Sequence, residues 1–344
     1  VPLPDSMRAA VYREKCRIEV EERPLPVLGA YDALLRVSHC GVCGTDLHLV
    51  VEGWGKPGSI GGHEYTGEVA ALGERAEAFS LGDRVVGAGA PGCGSCDYCR
   101  SHRPGLCARR EEFGAEAFQG AFAEYVRVDS RHLLPVPDAL SLRDAALTEP
   151  LAVALHGVTL SGVRGAQRAL VVGAGPIGTL TLAALRARGV EVVVSEPHPL
   201  RRKLAESLGA SAVLEPDALV PPAMPFDLID APFDTVFECS GTPEGFEAGL
   251  AQLRRAGTLV IVGTGMRHPR LDPNRVLLNE LVITGAYNYD ENGFEDAIAL
   301  LADGALPVDR LVEPVDAALE ELEGAMLDLF EGRIGAKVLV APST

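Results

Sequence analysis

The chain places four thiols close together, as Cys93-Gly-Ser-Cys96-Asp-Tyr-Cys99 followed by Cys107. Thiolates at this spacing can converge tetrahedrally on one zinc ion at about 2.3 Å each, which saturates the metal and makes the site structural. The competing reading is a pair of disulfides, but adjacent x2 spacings make bridging awkward. Zinc is the expectation, closing a lobe over 91–108 that has too little apolar content to fold alone. A second constellation is dispersed: Cys43-Gly-Thr45-Asp46-Leu-His48, then Gly61-Gly62-His63-Glu64, then Thr148-Glu149-Pro150. Thiolate, imidazole and carboxylate make three protein ligands and leave a fourth zinc position open to Lewis-acid chemistry. Each piece alone has a plainer explanation: His63 as a satisfied core histidine, Glu149 as an acid at a helix N-terminus, Cys43 as a buried thiol.

A third group is Leu170-Val-Val-Gly173-Ala-Gly175-Pro176-Ile177-Gly178, with the glycines following a strand and opening a helix. Gly173 allows the tight turn, Gly175 lets backbone approach a pyrophosphate, and Gly178 permits close helix packing, with the helix N-terminus facing the anion. Glu196 ends the next strand, where a carboxylate can accept the ribose hydroxyls of NAD and repel the 2′-phosphate of NADP. Arg201 and Arg202 lie near enough in sequence to soften that preference, so NAD is favoured over NADP without being settled. Glu238-Cys239-Ser240-Gly241 and Val262-Gly263-Thr264-Gly265 each close an apolar strand with glycine, at the edge where open α/β sheets bind ligands. Cys239, Ser240, Val262, Gly263 and Thr264 are expected to line the nicotinamide half.

Together these residues resemble the zinc-containing medium-chain alcohol dehydrogenase family, in the branch that includes sorbitol and threonine dehydrogenases. The resemblance rests on Gly62-His63-Glu64-x-x-Gly67, on Gly82-Asp83-Arg84-Val85, and on the four-cysteine lobe, and it covers nearly the whole chain. It implies a mostly β, GroES-like catalytic domain joined to a doubly wound Rossmann domain. It further implies two zinc ions per chain, a catalytic one on Cys43 and His63 and a structural one on Cys93, Cys96, Cys99 and Cys107. Glu149 occupies the third-ligand position, and Glu64 is the alternative, so Glu64, Glu149 or water completes the shell. Asp46 resembles the carboxylate that orients the histidine ligand, and Thr45 and His48 the pair that conducts the substrate proton outward. An imidazole suits such a relay because it titrates nearest neutral pH. The activity implied is hydride transfer between NAD(P) and a secondary alcohol, polyol, sugar or amino alcohol. Glu52, Trp54 and the 111–119 loop are candidates for shaping the substrate pocket. The segment 281–289 would supply an edge strand joining two subunits, giving a homodimer or homotetramer.

Other classes fit less well. A zinc hydrolase has no use for a glycine turn backed by Glu196, and a non-catalytic oligomeric protein on the same fold would not need Cys43, Thr45 and His63 together.

The elements that must hold these residues fall into two rhythms. Over residues 1–150 short β-rich runs (7–12, 33–37, 66–72, 84–87, 123–128) are separated by Gly and Pro. From 170 apolar strands (170–172, 190–195, 212–214, 235–239, 259–262, 281–284) alternate with helical stretches, as in a parallel sheet covered by helices. Helical patterns at 293–302 and 316–331 and a strand at 337–340 follow. The expected division is a catalytic domain of 1–150 with 289–344 and a dinucleotide-binding domain of 151–288. Cys40 reads as a core thiol beside the site, Cys16 and Cys239 as strand interiors, and His156 as within approach of the cofactor.

A length of 344 residues suits two cores. The composition is 47% hydrophobic and 23% charged, as in a folded globular enzyme. The 31 Lys and Arg against 48 Asp and Glu give a formal charge of −17, which disfavours nucleic acid and anionic membranes. The longest uncharged run, 169–185, is short for a bilayer span and carries four Gly or Pro residues. Residues 1–6 read as an extension ahead of Met7, with no basic and apolar leader, so the eight cysteines are expected in a reducing cytoplasm, where metal ligation outcompetes disulfides.

Overall fold

A computed structural model describes residues 3–87, 92–109 and 119–343. Six parallel strands form one sheet in the order Ala212–Leu214, Glu191–Ser195, Arg168–Val172, Phe233–Glu238, Leu253–Ile261, Val282–Gly285. The chain runs outward from the central strand, returns, and continues on the other side. The order therefore reverses between Arg168–Val172 and Phe233–Glu238, which opens a crevice at their carboxyl ends. Near-continuous apolar runs such as Leu170-Val171-Val172 are buried on both faces, as a helix-covered parallel sheet requires. Helix Pro176–Ala187 starts in the crevice, with proline at its first turn and Gly175 as its N-cap.

The other half is antiparallel. Strand Asp32–Gly41 is its hub, pairing with Glu64–Leu72, Tyr125–Asp129 and Leu339–Val340, while Arg84–Gly87 and Leu133–Pro135 extend the sheet. A hairpin of Ser6–Glu14 and Arg17–Pro24 closes over the core. Leu319, Leu322, Met326, Leu329, Val338 and Val340 pack into this same core. The helix at Gly293–Ala302 instead packs through Ala297, Ile298 and Leu301 into the larger core that contains helix Thr148–Ser161. That last helix is continuous through residues 150 and 151, so the two halves are joined by a rigid element and not by a linker.

Several boundaries differ from the sequence reading. The helix expected over 316–331 is a short 3-10 turn, Leu319–Glu321, followed by Leu322–Phe330. Residues 312 and 317 are bridged to Lys337 and Val340, and Asp316 is held by Arg143, which keeps the start of that segment extended. The run at 123–128 becomes strand Tyr125–Asp129, Ala123 bridging to Ala9 instead. Cys16 is not in a strand interior: it sits at the hairpin turn with φ 56, its thiol donating to the Val51 carbonyl at 3.6 Å. Cys239 lies just past its strand, at the crevice.

The glycine turn shows why the motif is spaced as it is. Gly173 has φ +93, in the left-handed region where a side chain is strained. A Cβ on Gly178 would collide with the carbonyl oxygen of Gly173, so only glycine lets the helix sit this close to the turn. Gly178→Ala is expected to displace the turn and weaken NADH binding at least about tenfold, a loss of roughly 1.4 kcal/mol. Fluorescence titration of the purified variant checks this, and unchanged affinity contradicts it.

Candidate active site and metal centres

Strand pairing assembles the dispersed constellation. Gly41 is the Cα partner of Glu64 in the antiparallel ladder. Cys43 follows two residues beyond one strand and His63 stands immediately before the other. Cys43 is the N-cap of helix Gly44–Val50, and its backbone N–H donates to Asp46 Oδ2 at 2.9 Å. The other oxygen of Asp46 accepts from the Gly62 amide at 3.4 Å. Asp46, 2% exposed, thus ties together the two backbone segments that carry Cys43 and His63, and acts on the imidazole through its charge. Gly62, at φ +91, is confined: a Cβ there would lie 2.7 Å from Cys40 Sγ. Cys40 is the buried thiol beside the site that its sequence position implied, raised by burial well above the ordinary thiol value.

Ligand atoms of Cys43, His63 and Glu64 lie within 4.8 Å of one another. Glu149, in the first turn of Thr148–Ser161, is 7% exposed and near enough to feel the charges of His63 and Glu64. Burial pushes its carboxyl up to about 7, against the pull of His63. Burial also works against protonating His63, but Cys43, to which it is hydrogen-bonded, with Asp46 and Glu149, outweighs this and lifts the imidazole well above its usual value. These groups make an acidic, desolvated cluster.

A buried ammonium answers it. Lys337 is 1% exposed and its Nζ lies 2.6 Å from Oε1 of Glu64, itself fully buried. The carboxylate of Glu64 fills the space over Gly41 that a Cβ would take. Lys337 escaped the sequence reading, although a lone lysine inside Ala336-Lys337-Val338-Leu339-Val340 carried the signal. One ammonium leaves Cys43, Glu64, Glu149 and Asp46 undercompensated when deprotonated, and a divalent ion is the group that such a thiolate, imidazole and carboxylate set fits.

The lobe fits a second ion. Sulfur separations are 3.5 Å for Cys96–Cys99, 3.9 Å for Cys96–Cys107 and 4.0 Å for Cys93–Cys99. The edge of a tetrahedron with bonds of about 2.3 Å is about 3.8 Å. The disulfide reading fails, since all eight cysteines are free. Amides of Cys93 and Arg109 donate to Cys107, and that of Cys96 to Cys93. Hydrogen bonds, first from the Ser95 hydroxyl, lower the Cys93 thiol to about 5, whereas burial and sharing with Cys96 push Cys99 up to about 12.

The constellation opens on the crevice. A cavity of about 360 Å³ is lined by Cys43, Thr45, His48, His63, Glu149 and Lys337 on one wall and by Gly175, Pro176, Ile177, Cys239, Ser240, Val262, Gly263 and Thr264 on the other. It shares Gly175, Arg201, Ser240 and Thr264 with a cavity of about 670 Å³ that adds Gly173, Ser195, Glu196 and His198. Gly178 lines neither and acts beneath the turn. Glu196 accepts from Ala174 N–H at 2.7 Å and from His198 N–H at 2.8 Å, fixing it at the end of its strand. Arg201 donates to the Leu329 carbonyl at 2.5 Å, across to the other half of the chain.

His48 stacks on Trp54 with ring centroids 4.7 Å apart, donates from Nδ1 to Glu52 at 2.9 Å, and lies 3.4 Å from Thr264 Oγ1. Glu52 and Trp54 therefore hold His48 as well as bordering the crevice; of the 111–119 loop, residues 111–118 lie outside the described residues. Glu238, named in the sequence only as the start of its strand-ending motif, accepts from the Ser240 and Gly241 amides and so holds that part of the crevice wall. His156 lines neither cavity; on the same helix face as Glu149 but about 10 Å further along the axis, it is 7% exposed and faces Asp290 at 3.7 Å, beside Arg103 of the cysteine lobe.

Residues 29–138 match the alcohol dehydrogenase GroES-like domain, and residues 176–303 match the zinc-binding dehydrogenase domain. The chain belongs to the zinc-containing medium-chain alcohol dehydrogenase family. It is 32% identical to sorbitol dehydrogenase of Bacillus subtilis over 94% of each chain. It is 30% identical to L-threonine 3-dehydrogenase of Xanthomonas campestris, over 97% of this chain and 99% of that one. Among solved structures it resembles a zinc-binding dehydrogenase of Sinorhizobium meliloti bound to NADP, at 31% identity and TM-score 0.85, covering 98% and 100%. A 2R,3R-butanediol dehydrogenase of Bacillus subtilis gives 29% and 0.84 over 98% and 100%. This dehydrogenase is accordingly a zinc-dependent oxidoreductase that exchanges hydride between an alcohol and NAD(P).

In this dehydrogenase Lys337→Met should strand a buried carboxylate and destabilise the fold by about 3–5 kcal/mol. A lower thermal midpoint is expected, with partial recovery in Lys337→Met/Glu64→Gln. A single variant as stable as the parent chain contradicts the pairing.

Proposed function

We propose that the enzyme interconverts a polyol, sugar, amino alcohol or other secondary alcohol with its carbonyl product, using NAD in preference to NADP and two zinc ions per chain. The observation that carries the reading is the single crevice in which Cys43, His63 and Glu149 face Gly175, Val262 and Thr264. Cys43 and His63 would hold the catalytic ion, with Glu64 the nearest carboxylate and Glu149 the next; Cys93, Cys96, Cys99 and Cys107 would hold the structural one. When bound, zinc polarises an alcohol oxygen and the nicotinamide accepts hydride.

The remaining work falls to side chains. Thr45, exposed on the floor of the crevice, would accept the hydroxyl proton. His48 would carry it to solvent, with Trp54 and Glu52 holding the imidazole in orientation. Glu149, on the crevice wall beside the proposed metal ligands, would accept a hydrogen bond from a second substrate hydroxyl. Leu47, Val153, Leu329 and Phe330 supply apolar wall and exclude water. Relatives carrying sorbitol and threonine dehydrogenase names support a polar, multiply functional substrate.

Glu196 supports NAD: its oxygens hold two amides and keep lone pairs for ribose hydroxyls, while its charge opposes a 2′-phosphate. Strand Val282–Gly285 lies at the open edge of the parallel sheet with Val282 exposed, near exposed Leu277 and Leu278, and supports a homodimer or homotetramer formed through that edge. No helix is long and apolar enough to cross a membrane among the described residues.

Cys43→Ser should abolish NAD reduction with a panel of primary, secondary and polyhydric alcohols while circular dichroism and NADH binding stay near those of the parent; retained turnover refutes the ligand assignment. Glu196→Ala should raise the KM for NAD more than that for NADP, and equal changes refute the ribose contact.

A further inference from the structure

Away from the crevice, strand Asp32–Gly41 carries a second group of chemistry-bearing side chains. Regular alternation would send Ser38 and His39 to opposite faces of the sheet. The ladder with Glu64–Leu72 instead shifts register between Val37 and His39, and this irregularity re-aims the pair. Ser38 Oγ lies 2.8 Å from His39 Nδ1, and His39 Nε2 lies 3.3 Å from Asp316 Oδ2. Arg143 grips both oxygens of Asp316 at 3.0 Å and also donates to the Glu313 carbonyl, which fixes the carboxylate. A carboxylate only accepts, so the proton of a neutral imidazole belongs on Nε2, and Nδ1 is left with its lone pair toward the serine hydroxyl. Burial, the largest influence on His39, lowers it below the ordinary imidazole value against the pull of Asp316, which favours that neutral form.

The group borders a cavity of about 670 Å³, separate from the dehydrogenase crevice, with which it shares no lining residue. Val37, Pro314, Val315 and Ala341 give it apolar wall, and Arg36, paired with Glu68, supplies a cation on the same side as Ser38. His39 and Asp316 keep 18% and 21% of their side-chain surface open, so the base is reachable from the cavity.

We propose that Ser38, His39 and Asp316 form a second catalytic site that hydrolyses small apolar acyl esters. A nucleophile, a base and an orienting carboxylate are recognised by geometry and role, whatever their order in the chain. Ser38 Oγ adds to the ester carbonyl carbon as its proton passes to His39 Nδ1. The bond from that carbon to the alcohol oxygen then breaks, and the alcohol leaves with the same proton. Water repeats the sequence on acyl-Ser38, with His39 as base, releasing the carboxylic acid and restoring the serine. No oxidant or reductant is consumed. Arg36, which lines the same cavity, is the cation available to a developing oxyanion.

The test uses the intact enzyme with p-nitrophenyl butyrate and a fluorophosphonate probe followed by peptide mass spectrometry. Expected are hydrolysis above the buffer rate, probe attachment at Ser38, and a loss of about a hundredfold or more in Ser38→Ala and in His39→Gln. Ser38→Ala should leave alcohol oxidation unchanged, which also shows that it folds, and Cys43→Ser should keep the esterase. The absence of hydrolysis, probe attachment elsewhere, full activity in Ser38→Ala, or loss in Cys43→Ser would each overturn the proposal, the last by assigning the hydrolysis to the dehydrogenase metal centre.

Discussion

The structure depends on a contest of charges in a place water does not reach. Cys43, Asp46, Glu64 and Glu149 gather around His63, and Lys337 is the ammonium that reaches them. Unpaired charge in such surroundings costs several kcal/mol per ion. The cluster therefore answers in the ways open to it: His63 holds its proton more tightly, Glu149 rises to about 7, and Lys337 remains charged against the penalty of burial. All three responses describe a site built to receive positive charge. The Gly41–Glu64 register sets this up, because it fixes the distance between the thiol and the imidazole before any ion is considered.

Much of this was legible from the sequence because the signals were local. Cys93, Cys96, Cys99 and Cys107 need only a tight loop, and Gly173, Gly175 and Gly178 need only one strand-to-helix turn. Helix Gly293–Ala302 was readable from its period alone. What was hidden depended on contacts between remote segments. Lys337 meets Glu64 across 273 positions, and nothing near either residue announces the other. The 316–331 pattern overreached for the same reason: Arg143 and the bridges to Lys337 and Val340 hold the first residues extended against their local preference. His156 misled because period places it on the same helix face as Glu149 but does not say how far along the helix the crevice extends.

That helix, Thr148–Ser161, explains why the site and the cofactor crevice keep a common frame. Its first turn carries Glu149 into the acidic cluster. Its middle packs on the helix Pro176–Ala187 that begins at the glycine turn. Apolar side chains from both halves enter the same core, Val86 and Leu140 from the antiparallel side, Val171 and Leu182 from the parallel side. A movement of the crevice wall must therefore repack this core or pivot elsewhere.

Among the described residues, polar contacts also cross the crevice outside that core. Arg201 reaches the Leu329 carbonyl, and His48 approaches Thr264. Hydrogen bonds of this kind contribute roughly 1 kcal/mol each and exchange readily with water. The apolar core sets where the halves meet, and these exchangeable bonds set how closely the walls approach. A bound dinucleotide would compete for Arg201, Ser240 and Thr264, which line both cavities. The enzyme can thus admit a large cofactor by trading weak contacts, while the buried cluster stays anchored to its ladder.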